Sequence, residues 1–132
     1  MKTSSAAVLI IEPHPLMRAS LRAAIEAESD LSVVEPTPGS ANAFALMISS
    51  QYDLLFLSRK PDIILLSIGN PGLEDLQAMD RLRQKWKSTP ILALTRDEVP
   101  GQEQAALAHG ARAVLTKSAS RSEILQTLRA IR

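Results

Sequence analysis

The sequence predicts an α/β domain: one parallel sheet of five strands with helices on both of its faces. Three observations lead there. Short, mainly apolar runs recur at Ala6 to Ile11, Leu31 to Glu35, Ile63 to Leu66, Ile91 to Leu94 and Ala113 to Leu115. Runs of this length, bounded by turn residues, mark strands buried on both faces, as parallel sheets require. Between them lie segments whose apolar residues recur at helical spacing, and strand–helix alternation argues for a sheet covered on both sides. Finally, 132 residues of which 45% are hydrophobic and 22% charged suffice for a single core, so one domain spanning 1–132 is expected.

In order, Ala6 to Ile11 forms the first strand and runs into Glu12-Pro13-His14-Pro15. Pro15 suits a first helical turn, where its missing N–H costs nothing. Met17, Leu21, Ala24 and Ile25 then place a helix that runs to about Glu28. Leu31 to Glu35 follows as the second strand. Pro36, Thr37, Pro38 and Gly39 break any helix, and Ser40 can cap a second one that contains Phe44, Met47 and Ile48. Asp53-Leu-Leu-Phe-Leu-Ser58 is echoed by Asp62-Ile-Ile-Leu-Leu-Ser67. Only the second copy leads into a Pro71-Gly72 turn, so it is the central strand. The first copy makes an unusual insertion at about 52–60, either a helix extension or an extra extended segment; if exposed, Leu54 to Leu57 would be a self-association surface. From Glu74 a helix carries Leu76, Met79, Leu82 and Trp86 near one face, with the tryptophan as a packing anchor. Pro90 precedes the fourth strand, which ends at Thr95. Pro100 opens a short helix stopped at His109-Gly110, with Gly110 as a left-handed cap. Ala113 to Leu115 is the fifth strand. Ser120 and Glu123 form a capping-box pattern at the start of a last helix that aligns Ile124, Leu128 and Ile131. The strand order expected is 2-1-3-4-5, the doubly wound flavodoxin-like arrangement, (βα)5.

Fifteen basic against fourteen acidic residues leave a net charge of +1, so no basic face for nucleic acid is implied. The absence of cysteine excludes disulfides and thiolate chemistry. No apolar run approaches the ~18 residues of a membrane span, and the N-terminal residues lack signal-peptide organisation. A cytoplasmic location without membrane contact is expected.

In open α/β sheets, ligands bind beyond the carboxyl ends of the strands. Glu12, Ser67, Thr95 and Lys117 all fall at such ends. The segments around them resemble the receiver domain of two-component response regulators. Ile10-Ile-Glu-Pro-His-Pro-Leu-Met-Arg18 resembles the family's first loop, Leu65-Leu-Ser-Ile-Gly-Asn-Pro-Gly72 its phosphoacceptor strand, and Gly110-Ala-Arg-Ala-Val-Leu-Thr-Lys117 the segment with its lysine. Thr95 stands where the family keeps a Thr or Ser. The details look most like receivers that precede a LuxR- or NarL-type helix-turn-helix domain; any such output domain would lie beyond Arg132.

The resemblance also exposes departures. Ser67 fills the position of the phosphoaccepting aspartate, and a serine hydroxyl, unlike a carboxylate, needs a base to become a nucleophile. The family holds Mg²⁺ on two acidic residues after strand one and on the acceptor aspartate. Here Glu12 is kept, but Pro13 and Ser67 fill the other two places. Since Mg²⁺ is held by oxygen ligands with carboxylate charge, its binding is expected to be lost or weak, and no cofactor is expected. Asn70 and Asp97 are near in sequence, with nothing to place them at the pocket. Val114 occupies the position of the switch aromatic. A Glu12–Lys117 ion pair is expected in the remnant pocket, with Ser67 satisfied by backbone; phosphorylation of Ser67 by a serine kinase, or a hydrogen bond from it to some other ligand, is the functional counterpart. His14 and His109 are explained by helix entry and helix dipole. Met17, Met47 and Met79 read as core filler.

Together these imply an atypical receiver, not an enzyme, acting by protein–protein contact. The family's docking surface, helix four, strand five and helix five, or another helical face, would support a homodimer. A sensor kinase or regulator protein would be the partner, and DNA would be reached only through an output domain. The alternative is a small-molecule binder or enzyme that reuses Ser67, Glu12 and Lys117. No G-x-S-x-G elbow or glycine-rich phosphate loop supports it.

Overall fold

Alternate residues of each strand enter opposite cores, which is why uninterrupted apolar runs were needed. The computed structural model describes residues 5–34, 60–69, 73–96 and 99–132. Its elements are β1 (Ala6–Ile11), α1 (Pro15–Glu26), β2 (Leu31–Val34), β3 (Ile63–Ser67), α2 (Leu73–Lys85), β4 (Ile91–Thr95), α3 (Gln102–Ala108), β5 (Ala113–Thr116) and α4 (Arg121–Ile131). The five strands pair in parallel in the order β2-β1-β3-β4-β5, as expected from the sequence. Leu9, Ile11, Ile64 and Leu66 face Met79 and Leu82 of α2 and Ala106 of α3. Their neighbours Val8, Ile10, Ile63 and Leu65 face the other way, onto Leu21 and Ile25 of α1 and Leu125 and Leu128 of α4. A strand with a period of two therefore feeds both layers at once.

Local signals account for most helix boundaries. His14 caps α1, its Nδ1 accepting the Met17 N–H at 3.4 Å, and Pro15 follows at the first turn. The helix closes at Glu26 with Ala27 as its cap, two residues before Glu28. Glu28 is instead drawn to Arg129 of α4 at 2.6 Å. Gly110 has φ +105°, a conformation L side chains rarely adopt, and it ends the turn after α3. Ser120 and Glu123 make the reciprocal capping box, each side chain accepting the other's backbone N–H at 3.1 Å. Strands β4 and β5 each reach one residue further than their apolar runs, because Thr95 and Thr116 are themselves partners in the ladder. Trp86 lies one residue past α2, half-buried against the core that α2 and α3 cover.

The predicted second helix, the Asp53 to Ser58 echo, the insertion at about 52–60 (apart from Lys60) and Met47 lie outside the described residues, as do Asn70 and Asp97. Among the described residues four helices are present where five were expected for the chain, and none is long and apolar enough to cross a membrane.

Candidate functional site

Parallel pairing sets Ile11 beside Leu66. One step further along both strands brings Glu12 beside Ser67, on the same face of the sheet by the two-residue period. Both are buried, at 3% and 2% exposure. The Ser67 hydroxyl donates to Glu12 Oε1 at 2.7 Å. Ser67 is thus satisfied by a carboxylate 55 residues away in sequence and not by backbone, the partner expected of it. The second oxygen, Oε2, accepts the His14 N–H at 3.0 Å, and the Glu12 carbonyl accepts from the Arg18 guanidinium at 3.0 Å. Lys117 Nζ stands 3.8 Å from Glu12 Oε1, as the expected ion pair requires. Its side chain is 30% exposed, so the ammonium keeps part of its hydration. Hydrogen bonding plus a nearby cation offsets the cost of burying a single carboxylate.

Thr95 is buried at the end of β4, and its carbonyl accepts the Lys117 N–H at 2.8 Å, which fixes the backbone from which Lys117 projects. Pro13 is exposed and supplies no polar side-chain atom. Val114 is half-buried against the α2–α3 core, where a branched aliphatic side chain fills space without a polar tip. His14 acts as a helix cap. His109 pairs with Asp80 at 2.9 Å, a contact the dipole argument had not required.

Two side chains join the site that sequence reasoning missed. Asp75, in the first turn of α2, is buried at 7% and accepts the Gly69 N–H at 2.6 Å. Burial pushes its carboxyl above the usual carboxylate value, opposed in part by the Gly69 N–H and by the charge of Lys117. Gln102, at the start of α3, is buried at 5%. Its amide donates to the Gly69 carbonyl at 2.7 Å and accepts the Arg96 N–H at 2.8 Å. This one side chain ties the segment after β3 to the segment after β4. The available signals were an acidic pair opening a helix and an amide next to Gly101, both common enough to pass as helix chemistry.

The ends of β1, β3, β4 and β5 therefore meet in one polar cluster of Glu12, Ser67, Lys117, Asp75 and Gln102. Among the described residues no three His, Asp or Glu side chains are grouped to hold a metal ion.

A five-stranded parallel sheet with this order is the doubly wound, flavodoxin-like arrangement, with the polar cluster at the carboxyl ends of its strands. Residues 8–129 match the response regulator receiver domain, and the chain belongs to that family. It is a signal-transduction domain of the two-component type. The nitrate/nitrite response regulator protein NarL of Escherichia coli K12 is 28% identical over 123 residues, covering 93% of this chain and 53% of the relative. A putative transcriptional regulator of Pseudomonas aeruginosa is 29% identical over 124 residues, covering 94% and 55%. The chain thus spans about half the length of these curated relatives. Among solved structures, a LuxR-family two-component response regulator from Aurantimonas sp. superposes with a TM-score of 0.72 at 26% identity, covering 97% of this chain and 85% of that one. The Vibrio cholerae chemotaxis protein CheY4 has the same fold, with a TM-score of 0.72 at 22% identity and coverage of 98% and 100%.

Proposed function

We propose that this chain is an atypical, cytoplasmic receiver that signals without aspartyl phosphorylation and without Mg²⁺. The observation that carries this is the Ser67–Glu12 hydrogen bond. The hydroxyl at the phosphoacceptor position is turned toward the one acidic residue retained from the metal site. Glu12 already accepts Ser67 on one oxygen and the His14 N–H on the other. Pro13 offers no ligand. These residues do not fit Mg²⁺, which takes octahedral oxygen coordination and is drawn by carboxylate charge. The remnant pocket of Glu12, Pro13, Thr95 and Lys117, with Val114 at the switch-aromatic position, is then a structural cluster held by its own contacts.

Output by such a domain passes through association. The α3–β5–α4 face, with Leu107 of α3 48% exposed, is the surface proposed for a homodimer or for a sensor kinase or regulator protein. Transcriptional output, as the names of the relatives suggest, would need a DNA-binding domain outside these residues.

The test is an amide NMR titration with Mg²⁺ and beryllofluoride, a phosphoryl analogue. Amides of Ser67, His14 and Lys117 are expected to stay in place. A saturable shift at these strand ends would overturn the proposal. Sedimentation of the chain with and without Leu107→Glu tests the dimer face; a monomer at all concentrations would remove it.

A further inference from the structure

Adjoining the polar cluster at Lys117, α1 and α4 leave a groove of about 370 Å³ between them. This lies near the lower end of the ~300–1,000 Å³ typical of small-molecule sites. Leu21 and Ile25 of α1 and Ile124 and Leu125 of α4 form its buried base. Two cations, Lys117 and Arg121, and the hydroxyl residue Ser20 are among the rest of the lining, and no carboxylate is among the described lining residues. Arg121 is exposed and makes no ion pair among the described residues. An apolar base with Arg121 unpaired among the described residues and Lys117 shared with Glu12 suits a small molecule with an apolar body and a negative head.

We propose that the α1–α4 groove binds such an amphipathic anion, a carboxylate in the simplest case. Lys117 both lines the groove and stands 3.8 Å from Glu12, so the bound head group draws on the same ammonium that the strand-end cluster uses. A ligand with this differential contact can bias the cluster, which is what any switching signal requires. The proposal deepens the phosphorylation-independent reading by naming a ligand class, yet the two fail separately. Beryllofluoride binding at Ser67 would defeat the former, and the groove titration alone decides the latter.

The experiment titrates the chain with sodium octanoate and follows backbone amides by NMR. Acetate, which has the charge without the body, and octanol, which has the body without the charge, serve as controls. Octanoate is expected to shift amides of α1 and α4 saturably, with a smaller shift carried to Lys117 and Ser67; both controls bind at least about tenfold more weakly. Arg121→Gln should weaken octanoate about tenfold, the scale of one hydrogen bond to a charged group. Ala24→Leu, which fills the groove, should abolish the shifts, with R121Q sufficient should A24L unfold. No saturable shift, equal binding of octanol, or octanoate binding indifferent to R121Q overturns the proposal. So does a concentration-dependent dimer that A24L dissolves, because the groove would then belong to a second copy of the chain.

Discussion

Replacing Ser67 by alanine separates a pocket held by its own hydrogen bonds from one waiting for a ligand. The hydroxyl donates to a carboxylate oxygen at 2.7 Å, and Glu12 is 3% exposed, so water cannot easily replace the lost donor. What remains at Oε1 is the Lys117 ammonium at 3.8 Å. A hydrogen bond to a charged group contributes about 1.5–3 kcal/mol, and Ser67→Ala should cost this much. For a small domain with a urea m-value of about 1–3 kcal/mol/M, the unfolding midpoint falls by roughly 1 M. A double-mutant cycle with Glu12→Ala isolates the pair and should give a coupling of at least about 1 kcal/mol. Ser67→Asp should cost more at neutral pH. Two like charges about 4 Å apart repel by about 4 kcal/mol at an effective dielectric near 20. A Ser67→Ala loss below about 0.5 kcal/mol, with no coupling to Glu12, would refute the reasoning, because the pair would then contribute nothing beyond ordinary surface effects.

Three further outcomes are expected. Gln102→Leu removes the amide that joins the Gly69 carbonyl to the Arg96 N–H, and should cost about 1–3 kcal/mol while speeding hydrogen exchange at Arg96; unchanged protection there would contradict a tether between the two segments. Arg129 binds Asp30 at 2.8 Å and holds its carboxyl pKa at about 2, below the ordinary aspartate value of 3.8. A depressed carboxyl adds stability that is present above pH 3.8 and lost as pH falls through about 2, so the thermal-unfolding difference between Asp30→Asn and the parent chain should narrow across that window. Gly110→Ala puts a β-carbon on a residue at φ +105°, 2.5 Å from the Arg83 guanidinium; the side chain can shift but the backbone conformation cannot relax, so a loss of about 1–2 kcal/mol is expected in urea unfolding.

Much of the fold was legible because each signal was local. Ile63 to Leu66 could be recognised as a doubly buried strand from four consecutive apolar residues, and the structure buries all four completely. Ser120 with Glu123 announced a helix start from spacing alone, and Gly110 a helix stop. Boundaries slipped where a distant partner intervened. The first helix closes before Glu28, which pairs with Arg129 some hundred residues on, and β5 continues into Thr116 because Thr95 lies alongside.

At the candidate site the division is sharper. Sequence alone determined which residue types stand at the strand ends: Glu12, Ser67, Thr95 and Lys117. Which of them touch, and what else reaches them, was decided by the tertiary structure. The β1–β3 register brings Glu12 to Ser67 across 55 positions, and the packing of α3 delivers Gln102 to Gly69 across 33. Helix α2 buries Asp75 beside that same glycine. A hydrogen bond depends on distance and direction between atoms, and chain separations of that size carry neither until the sheet has set its register.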